Sequence, residues 1–226
     1  MKTVVVSFGD GRHAEYAKVA LRRFEQLNEV ESWMLNIEAL PRGLSHPTWA
    51  KAWIWESVPS DVERVIWIDT DVIPIRPIMD LIPDFAIPWC AVEDIEISRQ
   101  EAEWDKERVE GVRTYFNAGV FVAHRSTEPM FRRLQEIALL GKRYQFSDQT
   151  PMNLLVDEMF GEEEFVKLPR ECNWLLPFGD IPADVRMVHL AGAPFRDTII
   201  RLFGLLESSP AQGSRIERGA SCVESW

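Results

Sequence analysis

The stretch Val65-Ile66-Trp67-Ile68-Asp69-Thr70-Asp71-Val72 decides how this chain is read. Its apolar residues, β-branched and aromatic, predict a buried strand over 64–68. That strand runs directly into two carboxylates separated by one threonine. An anion at the end of a buried strand is costly unless it is paired or holds a cation. In an extended chain residues i and i+2 point the same way, so Asp69 and Asp71 are expected to face one point and Thr70 to face away. Hard divalent cations such as Mg²⁺ and Mn²⁺ take carboxylate oxygens, and commonly sit between one or two carboxylates and the phosphates of a substrate. The plain alternative is a strand end whose aspartates cap a turn. Taken alone, the pair leaves both readings open.

Working outward, TVVVSF (3–8) reads as a first buried strand, followed by the turn residues Gly9, Asp10 and Gly11. Ala17, Ala20, Leu21, Phe24 and Leu27 recur at helical spacing and predict an amphipathic helix. VESWMLNIE (30–38) is a second strand. Pro47 suits the first turn of a helix running to about Val58. FAIPWCAVE (85–93) is a strand that Pro88 confines to an edge or an end. The charge-rich segment 94–114 is a solvated helix or loop, and YFNAGVFVAH (115–124) a further strand. Helices open at Thr127 and at SDQTP (147–151), VRMVHL (185–190) is a late strand, and a last helix follows Ala193. Strands alternating with helices give an α/β domain with a mostly parallel sheet flanked by helices. In such sheets ligands gather at the carboxyl ends of the strands. Gly9, Asp69, Asp71 and His189 all fall there.

The totals bound the function. A chain of 226 residues, 46% hydrophobic and 27% charged, has the composition of an ordinary globular domain. We expect one domain over residues 1–207 and a loosely attached Ser/Gly-rich tail over 208–226. Three cysteines, odd in number and far apart, support neither a disulfide framework nor a Cys-x-x-Cys metal site. No apolar run approaches a membrane span or a secretory leader, so the expected location is cytoplasmic. A formal charge of −11 argues against nucleic acid as a partner, since the overall field repels phosphates. A phosphorylated ligand must then be held by local cations or a bound metal.

Several chemistries use paired aspartates. Haloacid-dehalogenase phosphatases carry the pair on their first strand and need a later lysine and a further acidic pair, which do not follow here. Nucleotidyltransferases need a third carboxylate and a Gly-Ser entry. Glycosyltransferases with nucleotide-sugar donors place Asp-x-Asp on a middle strand, which fits best. A dinucleotide oxidoreductase is a rival: Gly9-Asp10-Gly11-Arg12-His13-Ala14 matches G-x-G-x-x-A between a strand and a helix, with Glu38 as the ribose ligand. That reading leaves WIDTDV and VHLAG unexplained.

The chain carries an ordered series of motifs, VVVSFGDGRHAEYAK, Lys51, WIDTDV, YFNAGVFV, SDQTPMN, LPRECNW and VHLAG, spanning Ser7 to Gly192. In this order they resemble the retaining, metal-dependent glycosyltransferases related to glycogenin and the bacterial lipopolysaccharide galactosyltransferases. The resemblance implies a single Rossmann-like nucleotide-sugar-binding domain of GT-A type. It also implies a nucleotide-diphosphate sugar donor such as a UDP-sugar, and a saccharide or other hydroxyl acceptor. Asp69, Asp71 and His189 would hold Mn²⁺, or Mg²⁺. An imidazole suits Mn²⁺ better, although a lone histidine at a strand end otherwise reads as a structural one.

The resemblance further implies that Lys51 contacts the donor as a point charge; without it, Lys51 reads equally as a solvated helix lysine. Asn117 would hydrogen-bond the donor sugar, with Ala118 and Gly119 allowing close backbone approach. Asp148 and Gln149 would flank the anomeric carbon, Asp148 assisting an oxocarbenium-like sugar; the alternative is a helix first turn, where an acid is favoured. Ser7, Phe8, Gly9 and Tyr16 would lie near the base and ribose, and Thr70 and Gly192 beside the donor. The family's lysine six positions after the metal histidine is Phe195 here, so Arg196 would take its place on the diphosphate. The same departure keeps open a non-catalytic binding protein of this fold. Trp33, Trp53 and Trp67 read as core; Trp104 and Trp174 are candidate acceptor platforms.

Overall fold

The computed structural model describes residues 1–36, 38, 40–41, 44, 46–94, 112–141, 144, 147–176, 180–191, 198 and 200. A six-stranded sheet forms its centre: β1 (Thr3–Ser7), β2 (Glu31–Met34), β3 (Arg64–Ile68), β5 (Trp89–Glu93), β6 (Phe116–His124) and β7 (Phe165–Leu168), in the order β2-β1-β3-β6-β5-β7. β1 pairs in parallel with β2 and β3, and β5 in parallel with β7. β6 runs antiparallel to both β3 and β5. Five strands therefore share one direction and β6 alone is reversed. A second, three-stranded sheet joins β4 (Val72–Pro74), β9 (Met187–His189) and β8 (Trp174–Leu175).

The alternation of side chains along β1 and β3 explains why helices cover both faces. Val4, Val6, Val65 and Trp67 point into one apolar cluster, Val5, Ile66 and Ile68 into another. The second cluster is closed by Ala20, Leu21 and Phe24 of α1 (Gly11–Asn28). The first is closed by the segment Pro47–Ser57 together with α3 (Glu128–Leu139) and α4 (Gln149–Met159). Buried on both sides, β3 can be apolar at every position from Val65 to Ile68, as a strand inside such a sheet requires.

The expected α/β domain with a mostly parallel sheet is the observed one, with local corrections. The helix expected from Pro47 is largely 3₁₀, Pro47–Trp53, passing into the short α2 (Ile54–Ser57). The strand placed at 85–93 begins only at Trp89, directly after Pro88, and lies inside the sheet. β4, β7 and β8 were not expected. Val185 to Leu190 contributes only the three residues of β9, and to the small sheet. Trp53 and Trp67 are buried as expected, while Trp33 is half-buried against the core. Residues 95–111, Trp104 among them, the tail from 208 and nearly all of the helix expected after Ala193 lie outside the described residues.

This topology builds a rim. The carboxyl ends of the parallel strands and the amino end of the reversed β6 fall on the same edge, so Ser7, Asp69, Asp94 and Asn117 come together from four strands. The small sheet adds Asp71, just before β4, and His189, at the end of β9; Val72 pairs with His189 across that sheet.

Candidate active site

The two aspartates do not continue the strand. β3 ends at Ile68, and Asp69 to Val72 form a turn in which the Val72 amide donates to the Asp69 carbonyl at 3.1 Å. The expectation of an extended Asp-Thr-Asp is therefore corrected. The turn is required because the chain leaves the large sheet here and enters the small one. Both ends of the turn remain tied to strands. The Asp69 amide donates to Gly119 O at 2.8 Å, and the Leu190 amide donates to Asp71 O at 2.9 Å. The convergence survives the correction: one ligand atom from each of Asp69, Asp71 and His189 can be chosen so that all lie within 4.8 Å of one another. His189 Nε2 stands 3.4 Å from Asp71 Oδ1.

Asp69 is held on one side by the Trp67 indole, which donates to Oδ1 at 2.6 Å, and on the other by Lys51. Lys51, 2% exposed, lies 3.1 Å from Asp69 Oδ1 and 2.8 Å from Asp148 Oδ2. Burial disfavours its charge, but Asp148 and Asp69 outweigh that cost and push its ammonium up to about 12. It is neither a solvated lysine nor a free point charge; it bridges the metal-candidate carboxylate and Asp148. Burial, reinforced by Asp71 and Asp148, raises the Asp69 carboxyl above its ordinary range despite Lys51 and His189. For His189, burial opposes the charged ring, yet the hydrogen bond and charge of Asp71 leave its imidazole above the usual value. These are signs of a site short of positive charge. Two carboxylates and an imidazole form a donor set that suits a hard or borderline divalent cation.

Asp148 and Gln149 start α4. Asp148 stands at the N-cap position, but its carboxylate makes no cap bond and turns to Lys51. Gln149 is buried, with Oε1 accepting from the Ala118 amide at 3.0 Å and Nε2 near the Tyr115 hydroxyl at 3.4 Å. Asn117 donates through Nδ2 to Asp94 at 3.2 Å and accepts at Oδ1 from the Gly119 amide and from Asn173. Ala118 is buried beside it. A Cβ on Gly119 would lie 2.2 Å from His189 Cε1, so only glycine fits against that ring. Gly9 meets a similar limit, where a Cβ would stand 2.3 Å from His13 O.

Ser7, Phe8 and Tyr16 are buried at the end of β1 and on α1. The Ser7 and Tyr16 hydroxyls have no hydrogen-bond partner among the described residues. Tyr16 shares a small cleft with Thr70, which places both beside the aspartate turn. Gly192, Phe195 and Arg196 lie outside the described residues. Trp174 sits in β8, half-buried, with the Arg170 guanidinium over its ring at 4.7 Å. Glu38, the acid the dinucleotide reading needs, is exposed beyond the end of β2.

The sequence reading missed Asp94 and Asn173. Asp94, assigned to a solvated segment, is 2% exposed. The available signal was the one used for Asp69: an apolar strand, here Trp89–Val92, running on to a buried carboxylate. Asn173 carried no such signal, because its partners are 16 and 56 residues away.

No curated protein matches the chain. Solved structures do match, at identities that speak to the fold alone. The galactosyltransferase LgtC, in complex with donor and acceptor sugar analogs, aligns at 16% identity over 92% of this chain and 98% of its own, with a TM-score of 0.60. A glycosyltransferase involved in glycosylation of the major capsid of PBCV-1 aligns at 15% identity, 91% of this chain and 100% of its own, TM-score 0.65. The bifunctional WbbM aligns at 18% identity over 89% of this chain and 49% of its own, TM-score 0.65. The family model for glycosyl transferase family 8 matches residues 11–192, most of the chain and every described element of the rim except β1. With the fold and the family model in agreement, the chain belongs to glycosyl transferase family 8 and is a nucleotide-sugar glycosyltransferase of GT-A fold.

Proposed function

We infer that this chain transfers a sugar from a nucleotide-diphosphate donor, a UDP-sugar, to a hydroxyl acceptor, with retention of configuration. Mn²⁺, or Mg²⁺, is the cation, held by Asp69, Asp71 and His189. The observation that carries this reading is the convergence of those three residues, from two sheets and distant parts of the sequence, next to the buried Lys51–Asp148 pair. LgtC, similar in fold, was solved with donor and acceptor sugar analogs, and that supports a donor and an acceptor here. When bound, the cation supplies Lewis-acid stabilisation of the diphosphate as it leaves.

The chain's own residues do the rest. Lys51 fixes the side chain of Asp148, so that a carboxylate stands at the amino end of α4 to steady the positive charge that grows on the sugar. Gln149, its Oε1 already taken by Ala118, braces the start of β6 and is not an anionic nucleophile. The buried hydroxyls of Ser7 and Tyr16, without a partner among the described residues, are suited to the nucleoside. Asn117, Ala118, Gly119, Thr70, Gly192 and Arg196 complete the donor side of this proposal.

The test is thermal unfolding with a panel of nucleotides and nucleotide sugars, with and without Mn²⁺, on the wild type and on Asp71→Asn. A ligand at about 100 times its dissociation constant adds about 2.7 kcal/mol. For a domain of this size that is several degrees, since about 1 kcal/mol moves the midpoint by roughly 2–4 °C. The expected result is a Mn²⁺-dependent shift with one nucleotide, lost in Asp71→Asn. A shift with NAD alone, and none with any nucleotide and metal together, would overturn the proposal.

A further inference from the structure

Behind the aspartate–histidine cluster runs a buried polar chain whose direction can be deduced atom by atom. The Gly119 amide can only donate, and it points at Asn117 Oδ1 from 2.9 Å. On the opposite side the Asp94 carboxylate accepts from Asn117 Nδ2 at 3.2 Å. Both neighbours demand the same orientation of the Asn117 amide, so its oxygen is identified by chemistry. That oxygen lies 2.9 Å from Asn173, whose facing atom must therefore be Nδ2. The other amide atom of Asn173 is then Oδ1, which can only accept, and it stands 3.0 Å from His189 Nδ1. The proton of a neutral His189 must sit on Nδ1.

We propose that Asn173, anchored through Asn117 to Asp94 and Gly119, is a positioning residue that holds His189 in the Nδ1–H tautomer and presents the Nε2 lone pair to the cation. This rests on the reading of Asp69, Asp71 and His189 as ligands. Asp94, Asn117, Asn173 and His189 are each at most 5% exposed, so no solvent molecule is needed to complete the chain of bonds. Strand register keeps Asn173 in place: it immediately precedes β8, whose Leu175 pairs with His189. With Nδ1 protonated, Nε2 faces Asp71 Oδ1 at 3.4 Å as one lone pair against another. Such an arrangement calls for a cation or a proton between them. Partners of this kind orient ligating histidines and raise their basicity, and their loss weakens metal binding by roughly 10–100-fold. Asn117 holds the relay with both lone pairs of Oδ1 and one Nδ2 proton, which leaves its second Nδ2 proton for the donor side of the proposed function.

The decisive measurement needs no variant. Long-range ¹H–¹⁵N correlation spectra of the wild type, with the ring neutral, report which nitrogen of His189 carries the proton. A free imidazole prefers the Nε2–H form, so Nδ1–H is diagnostic; finding Nε2–H, or a mixture dominated by it, overturns the proposal. Asn173→Ala is expected to revert the ring to Nε2–H and to weaken binding of Mn²⁺ alone by about 10–100-fold in a titration followed by electron paramagnetic resonance. A folded Asn173→Ala that keeps both the tautomer and the Mn²⁺ affinity overturns it as well. A wild type that shows Nδ1–H but binds no Mn²⁺ would leave the tautomer assignment standing and sink the metal reading, so the two failures are distinguishable.

Discussion

Lys51 is the residue on which the local electrostatics turn. Its ammonium lies between Asp148 and Asp69, all but out of contact with water, and over the Trp67 ring at 5.6 Å. Removing one member of a buried ion pair leaves an uncompensated charge behind, and costs about 3–5 kcal/mol. Lys51→Met should therefore lower unfolding stability by about that much in urea denaturation. Lys51→Met combined with Asp148→Asn should recover part of the loss, because the anion left stranded by the first change is neutralised by the second. A single variant that loses less than about 1 kcal/mol would mean the pair is solvated and replaceable. From the sequence, Lys51 could be matched only by resemblance. What it touches depends on the 97 residues of chain that bring Asp148 back to it.

At the scale of elements, caps and turns deliver side chains to the rim. The junction of β6 and α3 shows how such a cap can titrate. His124 Nδ1 accepts from the Ser126 amide at 3.2 Å, opening the 3₁₀ turn Arg125–Thr127 that leads into α3. Burial, with Arg64 nearby, lowers the His124 imidazole below its ordinary value. The folded pKa is thus below the unfolded one. Its contribution is complete above the unfolded value of about 6.5 and is lost as pH falls through the folded value, when Nδ1 gains a proton and can no longer accept. Urea unfolding at a series of pH values should show His124→Asn losing less stability than wild type between neutral pH and about pH 5, since asparagine caps without titrating. Parallel curves would refute this account. Element types were largely legible: β1, β3, β6 and α1 lie where apolar runs and spacing place them, and α3 and α4 where the start signals at Thr127 and SDQTP place them. The short strands β4, β7 and β8 were not, because two to four residues carry too little pattern to separate a strand from a loop.

Over the whole molecule, the sheet is enclosed by two apolar clusters, and the described cysteines report on how tightly. Cys90 and Cys172 both belong to the cluster beneath α1. Burial pushes each thiol up to about 12, so neither offers thiolate at neutral pH, and neither is reachable without opening the fold. Iodoacetamide labelling read by peptide mass spectrometry should leave both unmodified in the native protein and modify both in denaturant. Rapid native labelling of either would mean that the face under α1 opens locally. The same closed core leaves the rim as the place where the candidate ligand residues gather. That edge is where strand direction, the one reversed strand and the small sheet bring charged groups together.

The amino-acid sequence by itself determined the α/β class, the central strand 64–68 and the carboxylates at its end, because period and burial are local properties that a strand must satisfy wherever it sits. The ordered motifs also sufficed for the family resemblance that the family model bears out. Only the tertiary structure decided that Asp69 and Asp71 lie on a turn between two sheets, that Lys51 bridges two carboxylates, and that Asp94 and Asn173 are hydrogen-bonded to Asn117 and His189. Those facts depend on strand order and on pairings such as Val72 with His189. The physical reason is distance along the chain: a hydrogen bond across 56 residues leaves no periodic trace in either partner, whereas a buried strand writes its environment into every residue it contains.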